Sequence, residues 1–550
     1  MVNYAAVKVL VVDDFDSFRM TVSRMLSDFG CRTVDTAVNG NEALRLCEEN
    51  DYDLILCDYN LGKGRNGLQL LEEMRHKNLL RRSNLFLLVS AESSRNIVLA
   101  ASDYEPDGYL TKPITAKTLR QRLDRVLHQR QSMKSVYRAI EDNYLDRAIV
   151  LCLTKLDENS RYAVLCQKLL GALYIKTQQY DLAEQLYRQV LEMRELDWAQ
   201  VGMAQVEAAR GNDDRAEDWL QQIIQLQPLC MPAYDELAEL YRRQGKEAER
   251  QKVLEQAVAV SPVALLRQEK LAQVAQSNND SIVAAQTYKK VVKLSENSVH
   301  DKVENHMAFT RAAVAAFAED ETVGRDVLRE ALAVVDQVES RFGKDDTRKL
   351  QLQLIESQLQ LKQGNTKRAN ELFMAANQAI EALGLMDIDT ELDRVMTLQA
   401  LGQNAKANDR LVELVEAFKD DESALEKIDR LLDDPVSEAA CKQVASINKE
   451  GIRLYEQQAY MRAIECFQRA RRLFPRHLGV QLNLVQALVG QMRTGDENPQ
   501  WMDIAIQCLK GVESSINGTH PQFQRYRQLQ DMLRQADMEI RANQSKRKGK

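Results

Sequence analysis

Two neighbouring aspartates, Asp13 and Asp14, directly follow the first strongly apolar stretch of the chain, Val7–Val12. A third aspartate, Asp58, directly follows the stretch "DLILC", Asp53–Cys57. Because ligands of an open α/β sheet bind beyond the carboxyl ends of its strands, we expect the three carboxylates to meet at one edge. Adjacent carboxylates repel each other unless a cation lies between them, and hard oxygen ligands suit Mg²⁺. The sequence therefore predicts a magnesium site formed by these acids.

Two more strand ends carry a hydroxyl and an ammonium group. Ser90 closes the apolar stretch Leu85–Ser90, and Lys112 follows the short stretch Gly108–Thr111. A metaphosphate-like transition state needs mainly positioning and positive charge, which a metal ion and Lys112 would supply. A carboxylate can attack a phosphoryl group and form an aspartyl phosphate. These residue types predict phosphoryl transfer onto Asp58, with Ser90 donating a hydrogen bond to the phosphoryl group.

The elements that position these groups occupy residues 1 to about 128. Five apolar segments alternate there with helical patterns: the four named above and a weaker one, Arg32–Ala37. Near-continuous apolar strands that alternate with helices indicate a parallel sheet covered on both faces. We therefore expect an α/β doubly wound, flavodoxin-like domain.

This constellation resembles the receiver domain of bacterial two-component response regulators, across residues 7 to about 127. The resemblance is carried by "VVDDFDSFR", "LILCDYNLGKGRNGLQLL", "LVSAES" and "GYLTKPI", which stand in the order and spacing of the family. It implies that a histidine kinase transfers a phosphoryl group to Asp58 with the help of Mg²⁺. It also implies that the Lys112–Pro113 bond is cis. The implied metal ligands are Asp13 (through water), Asp14, Asp58 and the backbone carbonyl of Asn60, and the implied phosphoryl-binding and switch residues are Ser90, Tyr109, Lys112 and Pro113.

The loop after the proposed acceptor departs from the family pattern. The family usually has a Met-Pro pair there, whereas this chain has "YNLGKGRNG". Extra glycines make a loop more mobile, so we carry over the family's acceptor chemistry but not its dephosphorylation rate or kinase fit. A phosphate-binding P-loop would need Gly-Lys-Ser/Thr before a helix, which "GKGRNG" lacks.

Beyond residue 130 the apolar strands end and a repeat begins. The large–small pairs Leu170–Gly171, Met203–Ala204, Leu237–Ala238 and Leu271–Ala272 are spaced by 33, 34 and 34 residues. Small residues let two antiparallel helices approach closely, and the large residue fills the adjoining groove. A fixed period of this length indicates an array of helical pairs.

The array resembles the tetratricopeptide repeat, and its best single unit is "INKEGIRLYEQQAYMRAIECFQRARRLFP" near the end of the chain. The resemblance implies an all-α, tetratricopeptide-type helical solenoid that binds peptides or protein partners. We expect it to span residues 129–545, with the clearest units at about 163–296 and 444–476. Another unit is predicted at "LKQGNTKRANELFMAANQAI", and no register is clear over 298–350 and 380–445. Residues 546–550 are expected to form a basic, disordered tail. The predicted packing positions are Gly171, Ala183, Ala204, Ala216, Ala238, Ala272, Ala284, Gly451, Ala463, Phe467 and Pro475.

Composition excludes several classes of function. The formal net charge of −7 over 550 residues argues against bulk nucleic-acid binding. The sequence has no apolar stretch that approaches the length of a membrane span. Its nine cysteines are scattered, with no Cys-x-x-Cys pair that would indicate zinc or a redox dithiol. We expect a cytoplasmic protein without nucleic-acid or membrane partners.

Two hypotheses for function follow. In the first, a sensor histidine kinase or phosphotransfer protein phosphorylates Asp58, and the helical repeats then signal by binding an unknown protein. In the second, the chain is a constitutive scaffold or phosphate sink whose partner binding does not depend on phosphorylation. Under either hypothesis the only catalysis expected is the receiver's own phosphotransfer and hydrolysis.

Overall fold

The computed structural model describes residues 2–81, 84–91, 104, 106–158, 161–343, 345–494, 498–513, 516, 518 and 520–548. The chain divides into two compact units. The first contains Met1–Val274 and Val283–Phe309, and the second contains Ala275–Ile282 and Thr310–Lys550. No helix among the described residues is both long and apolar enough to cross a membrane.

A five-stranded parallel sheet opens the first unit. The strands are β1 (Lys8–Val12), β2 (Thr33–Ala37), β3 (Leu54–Asp58), β4 (Leu85–Ser90) and β5 (Gly108–Thr111). Their order across the sheet is β2-β1-β3-β4-β5. The central strand β3 is buried along its whole length, as is β4. Apart from their last residues, Asp58 and Ser90, both strands are apolar, because helices cover both faces of the sheet. The edge strand β2 is largely half-buried or exposed, which explains its weaker apolar pattern.

Helices α1 (Asp16–Phe29), α2 (Gly40–Glu49) and α3 (Gly67–His76) connect the first strands. The sequence sets their ends locally. Gly30 ends α1 in the left-handed region, at φ 104°. The side chain of Asn66 starts α3 with a capping box, in which its Oδ1 accepts from the backbone N–H groups of the first turn. The expected α/β doubly wound, flavodoxin-like fold is confirmed.

Helix α4 (Ala116–Glu141) belongs to both the sheet and the helical array. Leu119 and Leu123 in its first half pack into the apolar core on one face of the sheet. Met133 and Val136 in its second half pack with the first helices of the array. The expected boundary between residues 128 and 129 therefore falls inside one continuous helix, and the domain limits stay a prediction.

Helical hairpins make up the rest of the first unit, and small residues lie where their helices meet. A Cβ on Gly171 would lie 2.5 Å from the Tyr187 hydroxyl oxygen, and one on Gly202 would lie 2.3 Å from the Tyr187 ring. The predicted small packing residues of these helices are buried. The helices are α5 (Leu145–Asp157), α6 (Ala163–Lys176), α7 (Tyr180–Met193), α8 (Asp197–Ala209), α9 (Asp213–Leu226), α10 (Met231–Arg243), α11 (Glu247–Val260), α12 (Leu265–Ser277) and α13 (Ser281–Ser295). The last residues of α12 and the first of α13 are assigned to the second unit.

The second unit is also helical, including the stretch without clear register in sequence. A Cβ on Gly451 would lie 2.5 Å from the ring of Phe467, which is itself 1% exposed. Pro475 lies exposed in the turn after the helix that carries Phe467. From α14, which begins in the first unit, the helices are α14 (Val303–Glu319), α15 (Glu321–Phe342), α16 (Asp346–Lys362), α17 (Thr366–Leu383), α18 (Ile388–Ala400), α19 (Asn404–Ala417), α20 (Glu422–Asp429), α21 (Glu438–Glu456), α22 (Tyr460–Leu473), α23 (Leu478–Arg493), α24 (Pro499–Glu513) and α25 (Phe523–Lys548).

The end of α25 differs from the expectation of a disordered basic tail. The helix includes residues 546–548, and the last two residues of that predicted tail lie outside the described residues. Lys and Arg have high helix propensity, so a basic composition does not by itself oppose continuation of the helix.

Candidate functional site

Three carboxylates meet at the carboxyl edge of the sheet. Asp13 follows β1, and Asp58 is the last residue of β3, which pairs directly with β1. Both side chains are buried, whereas the neighbouring Asp14 is exposed. One carboxylate oxygen from each of the three residues lies within 4.8 Å of the others. The structure therefore brings together the three acids that the sequence singled out.

Lys112 supplies the positive charge of the cluster. Its Nζ donates to Asp13 Oδ2 at 2.7 Å and lies 3.2 Å from Asp58 Oδ1. The ammonium group also lies 4.2 Å from the centroid of the Phe18 ring, a favourable cation–π distance. Burial lowers the pKa of Lys112, but the hydrogen bond to Asp13 and the charges of both acids outweigh it, so the net shift is upward. Lys112 is therefore held as a cation between the buried acids.

Burial and neighbouring charges both act on the pKa of the Asp58 carboxyl group. Burial raises the pKa of its carboxyl group, the Lys112 charge lowers it, and the neighbouring charge of Asp13 raises it again. The net shift is upward from the ordinary value. A buried carboxylate of this kind is less stabilised by water than an exposed one, so it depends on cations supplied by the site.

Ser90 and Tyr109 lie on the two strands beyond Asp58. Asp58 pairs with Val89 across the sheet, so Ser90 is one residue beyond the position opposite the acid, at the end of β4. Ser90 is buried, and its backbone carbonyl accepts from the Lys112 N–H at 2.8 Å. Tyr109 on β5 is half-buried and packs against the apolar core on one face of the sheet. The bond between Lys112 and the following Pro113 is cis.

The loop between Asp58 and α3, residues 59–66, forms the exposed side of the site and is called the acceptor loop. Asn60 Oδ1 accepts from the Gly62 N–H at 3.2 Å, and Gly62 has a φ of 75°. Asp14 Oδ2 lies only 3.3 Å from the place a Cβ on Gly62 would occupy, so the loop backbone passes close to the exposed acid. Three hard carboxylates beside one lysine leave a net negative cluster, and this donor set fits Mg²⁺.

Two residues outside the predicted site support the acids. Arg19 is buried and donates from Nη1 to the backbone carbonyl of Asp13 at 2.7 Å. Gly67 begins α3 so close to β3 that a Cβ on it would lie 2.3 Å from the Asp58 carbonyl oxygen. The Asn66–Gly67 pair before an apolar helical pattern is the sequence signal that marks this helix start.

Comparisons with known proteins match both parts of the chain. The model of the response regulator receiver domain matches residues 9–124, and the model of the tetratricopeptide repeat matches residues 169–195 and 232–263. Chemotaxis protein CheY-3 of Vibrio cholerae is 33% identical over 122 residues, which are 22% of this chain and 92% of that protein. Chemotaxis protein CheY of Pseudomonas aeruginosa is 30% identical over 122 residues, 22% of this chain and 97% of that protein. The solved structure of CheY4 from Vibrio cholerae shares 32% identity, covering 22% of this chain and 98% of that one, with a TM-score of 0.21.

Fold, site and relatives together define a protein of two-component signalling. The chain belongs to the response regulator receiver family, and it joins that receiver to tetratricopeptide repeats. The resemblances inferred from the sequence are confirmed for both parts.

Proposed function

We propose that the protein accepts a phosphoryl group on Asp58 from a sensor histidine kinase or a phosphotransfer protein, and that it signals through protein–protein interactions of its helical array. The observation that carries the proposal is the cluster of three carboxylates within 4.8 Å of one another, with the Lys112 ammonium 2.7 Å and 3.2 Å from the two buried ones. It lies at the carboxyl edge of a parallel sheet, where ligands of such sheets bind.

In the proposed reaction, a carboxylate oxygen of Asp58 forms a bond to phosphorus while the P–N bond of the donor phosphohistidine breaks. Lys112 orients Asp58 and offsets negative charge on the transferred group, because its Nζ lies 3.2 Å from Oδ1. Ser90 donates its hydroxyl hydrogen to a phosphoryl oxygen. Asp13, Asp14, Asp58 and the backbone carbonyl of Asn60 would hold Mg²⁺, which supplies further positive charge for the phosphoryl oxygens.

The route from the site to the array supports the second half of the proposal. Ser90 and Tyr109, on the strands beyond the acceptor, would repack around a phosphoryl group and alter the receiver surface. Helix α4 continues from the core of the receiver into the core of the array. Phosphorylation can shift a conformational equilibrium only if it stabilises one state more than the other, and a rigid helix shared by both parts is an element that such a shift can move.

The test begins with phosphorylation itself. The purified chain is incubated with acetyl phosphate and Mg²⁺, and intact mass spectrometry counts the phosphoryl groups that it acquires. We expect one group on the natural protein and on the Asp51→Ala control, which changes an exposed aspartate near β3, and none on Asp58→Ala. Phosphorylation of Asp58→Ala to the same extent would refute the assignment of the acceptor.

The second arm separates a switch from a constitutive scaffold. Proteins retained from a cell lysate by the chain with Mg²⁺ and beryllofluoride, a phosphoryl mimic, are compared with those retained by Asp58→Ala under the same conditions. Proteins retained only by the mimic-loaded chain support the switch. Identical sets, with beryllofluoride bound to the natural chain, support the constitutive scaffold instead.

A further inference from the structure

Helix α3 of the receiver contacts the turn that follows α13 in the array, far along the chain. Gln69 Nε2 donates to the backbone carbonyls of Leu294 at 3.2 Å and Glu296 at 3.0 Å. One helical turn further along α3, Glu72 Oε1 lies 2.5 Å from Nε2 of His300. These residues are more than 220 positions apart in the sequence.

The two contacts have different physical roles. The last carbonyl groups of a helix have no partner within it. The Gln69 amide donates to one of them, Leu294 in the last turn of α13, and also to Glu296 in the turn that follows. Glu72 and His300 form a contact that is an ion pair when the imidazole is protonated, with side-chain exposures of 13% and 19%. Glu72 Oε2 is buried without a hydrogen-bond partner among the described residues, so a cation beside this carboxylate is favourable.

His300 lies between two acids from different parts of the molecule. On its other side, Nδ1 is 3.9 Å from Oε2 of Glu269, which belongs to α12 of the array. Asn305 fixes Glu269 by donating to its Oε1 at 3.0 Å. A neutral imidazole between two partly buried carboxylates leaves their repulsion uncompensated, whereas an imidazolium offsets both charges.

We propose that Glu72, His300 and Glu269 form a histidine latch that docks the receiver on its own helical array, and that the latch is connected to the phosphoacceptor loop through Gln69. The occupant of the docking site is therefore α3 of the same chain. The connection to the loop is direct, because one Gln69 side chain bonds both parts. Its Oε1 accepts from the backbone N–H of Asn66 at 2.9 Å, and its Nε2 donates to the two carbonyls of the array.

The latch also has a short path to the acceptor. The Gly67 N–H donates to the Tyr59 carbonyl at 2.8 Å, and the start of α3 packs against the backbone of Asp58. A displacement of the acceptor loop therefore moves the N-terminal turn of α3, which carries Gln69. This part of the inference rests on the proposed phosphorylation of Asp58, whereas the docking itself does not.

Docking through the latch depends on pH in a defined direction. The hydrogen bond to Glu72 raises the pKa of His300, burial lowers it, the charges of Glu72 and Glu269 raise it, and Lys302 lowers it, with a net upward shift. Asp301 in the same turn pairs with His306 instead, at 3.0 Å. Because the docked state binds the proton more tightly, docking is strongest below the ordinary histidine pKa of about 6.5. Docking weakens as the pH rises through the raised pKa of docked His300. In total, the docking equilibrium constant falls tenfold for each pH unit that separates the raised pKa from the ordinary one.

Hydrogen exchange of the full-length chain, corrected for intrinsic exchange rates, tests the latch. Protection of α3 and of residues 294–302 is compared at about pH 6 and about pH 8.5, on either side of the ordinary histidine value. We expect protection of both segments to fall together at the higher pH in the natural protein. His76→Gln, an exposed position on the same helix, is the matched control and should behave like the natural protein.

Two substitutions at His300 distinguish a latch from a simple packing contact. His300→Gln keeps a hydrogen-bond donor but no charge, so protection should be low at both pH values. His300→Lys keeps a cation that does not titrate in this range, so protection should stay high at both. Protection that is independent of pH in the natural protein, or unchanged in His300→Gln, would overturn the docking proposal.

A final arm tests the connection to the acceptor loop. Beryllofluoride with Mg²⁺ should change the protection of residues 294–302 in the natural chain but not in Asp58→Ala. If beryllofluoride binds and the protection of residues 294–302 stays unchanged, the connection between the acceptor loop and the latch is overturned. The docking itself is then decided by the pH experiment alone. Failure of beryllofluoride to bind would overturn the proposed function and the connection with it, and would not affect the pH result.

Discussion

Replacing Lys112 with methionine tests how the acidic site is held together. The Lys112 ammonium lies 2.7 Å from Asp13 Oδ2 and 3.2 Å from Asp58 Oδ1, and these two carboxylate side chains are only 0% and 7% exposed. Methionine keeps an unbranched, flexible side chain but removes the charge. The buried acids then lose the cation that offsets both their burial and their mutual repulsion.

We expect the Lys112→Met variant to lose about 3 kcal/mol of stability when no divalent cation is present. Removing one partner of a buried ion pair costs about 3–5 kcal/mol because the remaining charge is buried without compensation. The lower end applies because the lysine side chain is 19% exposed, so water replaces part of the lost interaction. Mg²⁺ should restore more stability to the variant than it adds to the natural protein, because the variant site carries one more unit of net negative charge.

Hydrogen exchange of the β1 and β3 amides measures this local free energy within the full chain. The measurement is made with and without Mg²⁺ on the natural protein, on Lys112→Met and on Lys117→Met, which removes an exposed lysine near the start of α4. The reasoning would be refuted by a loss no larger than that of the Lys117→Met control. An equal response to Mg²⁺ in the natural protein and in Lys112→Met would refute the electrostatic part alone.

Two further predictions concern close packing at glycine. Gly67→Ala would place a Cβ 2.3 Å from the Asp58 carbonyl oxygen, so we expect phosphorylation by acetyl phosphate to slow by up to about 100-fold, the effect of misplacing a reacting group by 1 Å. A rate equal to that of the natural protein would show that α3 can shift without moving the acceptor. Gly451→Ala would place a Cβ 2.5 Å from the Phe467 ring. Overpacking costs about 1–3 kcal/mol, whereas alanine gains about 1 kcal/mol in helix propensity over glycine. We therefore expect a net loss of up to about 2 kcal/mol in the stability of α21 and α22 measured by hydrogen exchange. Gly518→Ala, whose Cβ would have no atom within 4 Å, should cost far less, and an equal loss in the two variants would contradict the packing argument.

The sequence alone was sufficient to predict the acidic site. Asp13, Asp14 and Asp58 each follow an apolar strand, and parallel strands bring their carboxyl ends to one edge of a sheet. The identity and order of the strands were readable because buried strands need near-continuous apolar residues. Local patterns of this kind depend on neighbouring residues, so they are visible without coordinates.

The repeats were predictable for the same reason where their register is regular. Small residues such as Gly171 and Ala204 recur with a fixed period because each hairpin repeats the same close approach of two helices. Over residues 298–350 and 380–445 the period is lost, although helices form there too. Helix formation needs only the right propensities and one apolar face, whereas a recognisable repeat also needs the same packing residue at each position.

Only the tertiary structure decided which distant groups meet. The cation–π contact between Lys112 and Phe18, the continuation of α4 from the sheet into the array, and the approach of Glu72 to His300 across 228 positions are not visible in any local pattern. A lone histidine in a polar turn has no periodicity and no neighbouring ligand that would mark it. Its role depends on which surfaces come together when many weak apolar contacts are buried at once, and that choice is made by the packing of the whole unit rather than by any segment of the chain.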